Sequence, residues 1–378
     1  SFICFILHIY IEIILLIKIN LMSKKPIILG IETSCDETAA SIITENEQCM
    51  PTILSSIVSS QVEVHKEFGG VVPELAARSH IEKIDLITKK AIDESGIEIN
   101  EIDAIAATAG PGLIVCLSVG LSFGKALAFS LNKPFIAINH LEGHALSPRL
   151  NSKLNYPYLL LLISGGHTQF LSVRGLGDYK RLGTTIDDAV GEAFDKTAKM
   201  LGIEFPGGPQ IEVYAKKGNP YKYELPKPIF YRGGCNLSFA GLKTAVLRIA
   251  KQIKTDQEKF DLAASFQNTI EQILYKKTKV AFKEFKNINS NKNNTFVVAG
   301  GVAANKRIRE ALTNLCKEEG FEAIFPPIDL CGDNAAMIAM VGLEKYKLNQ
   351  FSTLDHPAKP RWPLDENAAF LKGAGVKI

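Results

Sequence analysis

Apolar runs broken by short polar or glycine-rich turns organise most of this chain. One run, residues 27–31, ends in Glu32-Thr33-Ser34-Cys35-Asp36-Glu37-Thr38, and apolar residues resume at 39–43 and 53–58. Strand, polar turn, strand, strand is the pattern of a meander. Residues 158–173, YLLLLISGGHTQFLSV, repeat that plan. The recurrence predicts a weak internal duplication into two similar α/β halves. Helical periodicity predicts an amphipathic helix from Glu74 to about Ser95, with Gly96 as its stop. A strand at 102–108 and the turn Ala109-Gly110-Pro111-Gly112 lead into a helix through Ala128. That helix is apolar nearly all round and is expected to be buried. A strand at 134–139 closes the first half.

In the second half, Asp187 and Asp188 are expected to open a helix that carries Asp188 and Asp195 on one face. Pro206-Gly207-Gly208-Pro209 reads as a tight turn ahead of Glu212. Helices run from the stretch 237–243 to about Phe285, and residues 287–294 form a polar loop. A strand from Phe296 meets a double-glycine turn and a helix start at Asn305-Lys306. A last helix, Ala335 to Leu343, follows Asp333-Asn334. The tail from Phe351 reads as loose.

The chemistry concentrates where strands end. The run up to Asn139 meets His140 and His144, which share a face if the segment turns helical. Two imidazoles so placed can grip one metal ion, although surface or capping histidines are the commoner meaning of a bare H-x-x-x-H. Strand ends are where open α/β sheets bind ligands. Glu142 sits two positions after His140, about 200° around a helix. It should face away from a metal, so the general base of an H-E-x-x-H peptidase is a poor assignment for it. The 32–38 turn is either a hairpin with local Asp and Thr bonds or a loop facing a phosphate or metal. His65 and His80 read as structural. Lys216 to Arg232 mixes cations with Tyr, Phe and Pro, a surface usable for RNA or simply solvated.

Length and composition narrow the class. The 378 residues, 46% hydrophobic and 22% charged, suffice for two domains. A net charge of +3 excludes a strongly basic overall field, so any nucleic acid must meet a local patch. Seven cysteines without a C-x-x-C pair suit a reduced, cytoplasmic protein. Residues 1–21 are dense in Ile and Leu, but His8, Glu12 and Lys18 interrupt them. They are expected to be a mis-set start ahead of Met22 rather than a membrane anchor. The expected division is 22–150, 151–345 and a tail at 346–378.

Nine stretches in order give the chain a family resemblance: GIETSCDETAA, HKEFGGVVPELAARSH, NHLEGH, ISGGHTQ, DDAVGEAFDK, PGGPQIE, NLSFAGLKT, AGGVAANKRIRE and CGDNAAM. Together they resemble the TsaD family, tRNA N6-adenosine threonylcarbamoyltransferases of the actin-like ATPase superfamily. The resemblance implies two duplicated actin-like (ribonuclease H-like) domains facing across a cleft. It implies transfer of a threonylcarbamoyl group from threonylcarbamoyl-AMP to N6 of adenosine 37 in tRNAs reading codons that begin with A. His140, His144 and Asp333 match the family's metal ligands. Leu162, Ile163, Ser164, Gly165, Gly166, Asp195, Gly208, Glu212 and Asn305 match positions that hold the adenylate. Many members carry Asp where this chain has Glu212. One Fe(II) per subunit is implied, with Zn(II) the other ion that suits two imidazoles and a carboxylate. The implied partners are tRNA, a catalytically degenerate paralogue and a P-loop ATPase, with no membrane.

The residues agree in type with those roles. Gly165 and Gly166 offer backbone donors, while Asp195 and Glu212 can accept from ribose hydroxyls. Asp36 and Glu37 are the candidates for the general base, with surface capping as their other meaning. Two other functions fit the same superfamily: an ATP-dependent kinase, and a non-catalytic nucleotide-binding scaffold. The kinase is disfavoured because such enzymes hold Mg²⁺ mainly through carboxylates and phosphate.

Overall fold

The computed structural model describes residues 25–289 and 293–369, so the expected start at Met22 falls outside it. The first half contains β1 (Ile28–Glu32), β2 (Glu37–Glu45), β3 (Pro51–Ser60), α1 (Val62–His65), α2 (Pro73–Ser95), β4 (Ala104–Gly110), α3 (Ile114–Ser130), β5 (Phe135–Asn139) and α4 (His140–Leu146). The second contains β6 (Tyr158–Ile163), β7 (Thr168–Gly175), β8 (Asp178–Thr184), α5 (Val190–Met200), α6 (Gly207–Ala215), α7 (Ala240–Ala250), α8 (Asp256–Ile288), β9 (Thr295–Ala299), α9 (Lys306–Glu319), β10 (Glu322–Ile324) and α10 (Ala335–Lys347).

Each half holds one five-stranded sheet, ordered β3-β2-β1-β4-β5 and β10-β9-β6-β7-β8. In each, three antiparallel meander strands continue into two parallel ones. The duplicated α/β architecture expected from the pattern is present. The central strands ILGIE and YLLLLI are buried at every position, which explains why they read as continuous apolar runs rather than alternating ones.

Three elements depart from expectation. First, α10 packs on the first sheet, although the sequence division placed it with the second half. Its Ala336, Ala339 and Leu343 share a core with Ile28, Ala106 and Ile138. The contact needs small residues: a Cβ at Gly30 would lie 2.4 Å from the Ala335 carbonyl oxygen, and one at Gly342 would lie 2.6 Å from Ala106 Cβ. Second, the tail is strapped down. Ser352 N–H donates to Phe135 O at 2.8 Å and Lys359 N–H to Ala109 O at 2.7 Å, both on the first sheet. Asp365 then accepts from Arg181 N–H of β8 at 2.8 Å, so the strap spans both halves. Scattered Pro and charge hid this, because the tail is held by backbone bonds and needs no periodicity. Third, α3 buries only one face. Ile114, Val115 and Phe129 are exposed, while Leu117, Gly120, Leu121 and Gly124 pack inward.

Candidate metal centre and nucleotide cavity

The histidine helix α4 begins directly at the C-terminal end of β5. Asn139 caps it by accepting from Leu141 N–H at 2.9 Å, which fixes the strand-to-helix turn. One turn then carries His140 and His144 on the same side, with ring centroids 4.8 Å apart. Asp333 lies on the loop capped by Asn334 at the start of α10. Its Oδ1 is 3.5 Å from His140 Nε2 and 3.0 Å from His144 Nε2. The structure thus brings the three candidate ligands together, with ligand atoms within 4.8 Å of one another. All three stand on elements packed against the first sheet. A cleft between the halves is not what joins them; the return of α10 to that sheet is.

Glu32, at the end of β1, was not singled out as a site residue by sequence reasoning. Its Oε2 accepts from His140 Nδ1 at 2.9 Å and from Thr108 Oγ1 at 2.7 Å, and its Oε1 accepts from Ser34 N–H. A carboxylate can only accept, so Nδ1 of His140 carries the proton and Nε2 is turned toward Asp333. His144 is different: its buried Nδ1 has no hydrogen-bond partner among the described residues. The available signal for Glu32 was its place, the last residue of an apolar central strand that opens into a polar turn.

The electrostatics are tightly paired. Burial disfavours charge on His140, but the Asp333 and Glu32 carboxylates outweigh it and hold its pKa well above the usual value. Burial also works against the Asp333 carboxylate, and His140 and His144 overcome it, holding that pKa well below the usual range. Glu37 moves the other way: burial first, then the Asp333 and Asp36 charges, push it well above an ordinary carboxyl. Neither Asp36 nor Glu37 belongs to the group of three ligand atoms found among the described residues. Their loop is braced from behind, where the buried His80 places Nε2 3.0 Å from Cys35 O and Nδ1 2.8 Å from Thr38 Oγ1.

Glu142 faces away from this group, as its helical offset required. It accepts from Gly177 N–H at 3.0 Å and Tyr179 Oη at 2.8 Å and pairs with Lys345 at 3.0 Å. It joins α4 to the β7–β8 hairpin of the second half.

The second feature is a cavity of about 460 Å³ in the second half, bordered by Gly165, Asp195, Gly208, Glu212, Asn305 and Lys306 among others. Four of the expected adenylate positions, Leu162, Ile163, Ser164 and Gly166, are not among its lining residues. Leu162 and Ile163 are core residues of β6 with wholly buried side chains, and Ser164 accepts from His167 N–H through Oγ at 3.1 Å. Gly166 belongs to the same turn, and a Cβ at Gly165, Gly166 or Gly208 would meet nothing within 4 Å. Asp195 Oδ1 accepts from Gly207 N–H at 2.8 Å, so the 206–209 segment is the first turn of α6 rather than a free turn. Burial raises the Asp195 pKa. Asp188 does not share a face with it. It precedes α5 and pairs with Lys196 at 3.3 Å and with Lys243. Asn305 caps α9 through Oδ1 and gives its amide to Gln267 at 2.9 Å, so both ends of its side chain already have protein partners. Sequence reasoning passed over Lys306, the neighbour of Asn305 in a quoted motif.

One turn links the two features electrostatically. Gly165 lines the cavity. His167, two residues on, feels burial and then the His140 and His144 imidazoles, which lower its pKa to about 4.

Comparisons with known proteins give the family. The pattern of the TsaD family, described as tRNA N6-adenosine threonylcarbamoyltransferase, matches residues 52–340. The chain is 85% identical over 357 residues to the tRNA N6-adenosine threonylcarbamoyltransferase of Pelagibacter ubique (strain HTCC1062), covering 94% of this chain and 100% of the relative. It is 55% identical over 341 residues to the protein of that name from Rickettsia bellii (strain OSU 85-389), covering 90% and 99%. Among solved structures, T. kodakarensis HypF superposes with a TM-score of 0.58 at 13% identity, over 89% of this chain and 50% of that one, a likeness of fold alone. Sequence identity along nearly the whole length, over a fold with the expected duplication, places this chain in the tRNA N6-adenosine threonylcarbamoyltransferase (TsaD) family.

Proposed function

We propose that this chain transfers the threonylcarbamoyl group of threonylcarbamoyl-AMP to N6 of adenosine 37 in tRNAs that read codons beginning with A. The observation that supports the donor assignment is the turn Ser164–His167: its Gly165 lines the cavity, and its buried His167 feels the charge of His140 and His144. An adenylate in the cavity would lie with its nucleoside among Asp195, Glu212 and the double-glycine turn at Gly300. Its mixed anhydride would cross the 164–167 turn, where open space above Gly165 and Gly166 leaves backbone N–H groups accessible to carbonyl and phosphate oxygens.

His140 Nε2, His144 Nε2 and Asp333 Oδ1 form a donor set that suits one Fe(II) or Zn(II) ion and leaves coordination positions open. Such an ion, when bound, supplies Lewis-acid polarisation. Glu32 keeps His140 in the tautomer that presents Nε2. N6 of the adenine attacks the carbamoyl carbon, the bond to the AMP oxygen breaks, and the amine loses one proton. Asp36 and Glu37, where the loop after β1 meets β2, are the candidates for the base that takes that proton.

A protein partner fits the exposed apolar residues of α2 and α3, including Ile81, Leu86, Ile114 and Phe129. That face suits the degenerate paralogue of the family, with a P-loop ATPase completing the assembly. Among the described residues no helix is long and apolar enough to cross a membrane. A cytoplasmic place suits a tRNA substrate. The kinase alternative loses ground to the imidazole-rich donor set. The experiment is nucleoside mass spectrometry of tRNA from cells depleted of this protein: threonylcarbamoyladenosine should vanish and return with the wild-type chain. Undiminished modification would overturn the assignment.

A further inference from the structure

The segment between α6 and α7 is not used by the chemistry above, yet it is built with care. From Lys216 to Arg232 it carries Lys216, Lys217, Lys222, Lys227 and Arg232 against the single carboxylate Glu224, in a chain whose whole net charge is +3. Its outward aromatics are Tyr231, 91% exposed, and Tyr221, 77% exposed. The aliphatic and phenylalanine side chains of the segment, Leu225, Ile229 and Phe230, are buried or half-buried. The exposed face is thus cationic and aromatic, not greasy.

The turn at its tip is held rigidly. Lys277 of α8 is 1% exposed, and its Nζ donates to Arg232 O at 2.8 Å and Gly234 O at 3.2 Å. Burying an ammonium costs free energy, and here the group fixes only the carbonyls of this turn. Gly234, at φ 79°, adopts the left-handed conformation the reversal needs. Beyond it the chain is clamped to the mouth of the second half. Cys235 backbone packs so closely on Gly183 that a Cβ there would lie 2.4 Å away. Asn236 Oδ1 accepts from Thr184 N–H at 3.0 Å, and Leu237 N–H donates to Thr184 O at 3.0 Å. Thr184 in turn bonds Thr168 O, the first residue after the Ser164–His167 turn. The exposed tip and the candidate reaction centre are therefore joined by a short run of fixed backbone.

We propose that the Tyr231–Arg232 turn, with the cationic run behind it, is a docking surface for unpaired nucleotides of the tRNA substrate. Tyr231 stacks on a base, and Arg232 with Lys227 and Lys222 meets phosphates. Base stacking on exposed aromatic rings beside cations is the common way proteins hold single-stranded RNA. A rigid turn presents the ring without an ordering cost on binding. Exposed Tyr and Arg also serve protein interfaces, but five cations against one carboxylate suit a phosphate backbone, and the test below separates the two.

The proposal rests on the tRNA-modifying function above, and the test separates the two. Cells relying on this chain alone receive a photo-crosslinking phenylalanine derivative at Tyr231 or, as control, at the exposed Phe351 of the tail. Threonylcarbamoyladenosine in their tRNA reports the function itself, and its absence with the wild-type chain would sink both ideas. With modification present, irradiation should recover tRNA from position 231 and not from 351. Only protein, or nothing, at position 231 would overturn the docking surface and leave the function standing. In the purified, assembled system, Tyr231→Ala combined with Arg232→Ala should raise KM for tRNA about tenfold, with KM for the adenylate and the melting temperature unchanged. An unaltered KM for tRNA would also overturn it.

Discussion

The two halves of this molecule repeat one sheet plan but hold their functional groups by opposite means. The first gathers charge: Glu32, His140, His144 and Asp333 are packed together, each neutralised by its neighbours. The second gathers open space: Gly165, Gly166 and Gly208 leave room for a ligand to approach the backbone, and the cavity has few charges. A charged cluster is cooperative, so removing one member leaves the rest buried and unpaired. A backbone cradle is steric, so adding atoms harms it more than removing them.

The largest effect belongs in the first half. Asp333→Ala removes the one carboxylate of the donor set, and both metal occupancy and transfer to tRNA should fall about a hundredfold or more. Elemental analysis beside a single-turnover assay reads both; full metal and full activity would end the metal-centre assignment. Glu32→Gln is the next step down. The amide can still meet His140 but brings no charge, so affinity for Fe(II) or Zn(II) should drop about 10–100-fold, measured by competition with a chelator. Unchanged affinity would show that Glu32 only fills space.

The glycines sharpen the contrast. A Cβ at Gly300, at φ 96°, would lie 2.5 Å from Ile163 O, so Gly300→Ala should cost about 1–3 kcal/mol of stability in a denaturant titration. Gly165→Ala meets open space and should leave stability intact while weakening the adenylate by calorimetry. Equal adenylate affinity in wild type and Gly165→Ala would move the ligand elsewhere.

Asn305→Ala tests a smaller term. Since the side chain caps α9, its loss should cost ~1 kcal/mol of stability, whatever it does to binding. A melting curve that does not move would contradict the cap.

The smallest expected effect is a pH slope. Burial lowers the His80 pKa below its usual 6.5, so the folded state resists protonation that the unfolded chain accepts. Between the lowered folded value and 6.5 the unfolded state binds more protons, so stability rises with pH there and levels off above. His80→Gln should flatten that slope, which for one proton is at most about 1.4 kcal/mol per pH unit. An unaltered slope would mean that His80 is not what titrates.

Much was legible in the chain because local rules govern it. Periodicity located the central strands and the longer helices, though not β8 or β10, and the helical offset of Glu142 set its direction away from the histidine–aspartate group. The motif residues His140, His144 and Asp333 were nameable in advance, and the structure brings them together. Glu32 was harder to see, because its role depends on β1 lying beside β4 and ending opposite α4. Asn305, matched by the motif to an adenylate position, borders the cavity, but its side-chain bonds to Ile308 N–H and Gln267 are invisible to a motif.

By itself, then, the sequence determined the duplicated α/β plan, the family and the kinds of groups that meet at strand ends, since these follow from period, turn chemistry and residue type. Only the tertiary structure decided that α10 and the tail return to the first sheet, carrying Asp333 to the histidines. That return depends on close approach at Gly30 and Gly342 and on backbone bonds from Ser352 and Lys359. Steric fit between segments three hundred residues apart, and hydrogen bonds made by the main chain, leave no periodic trace in side-chain order.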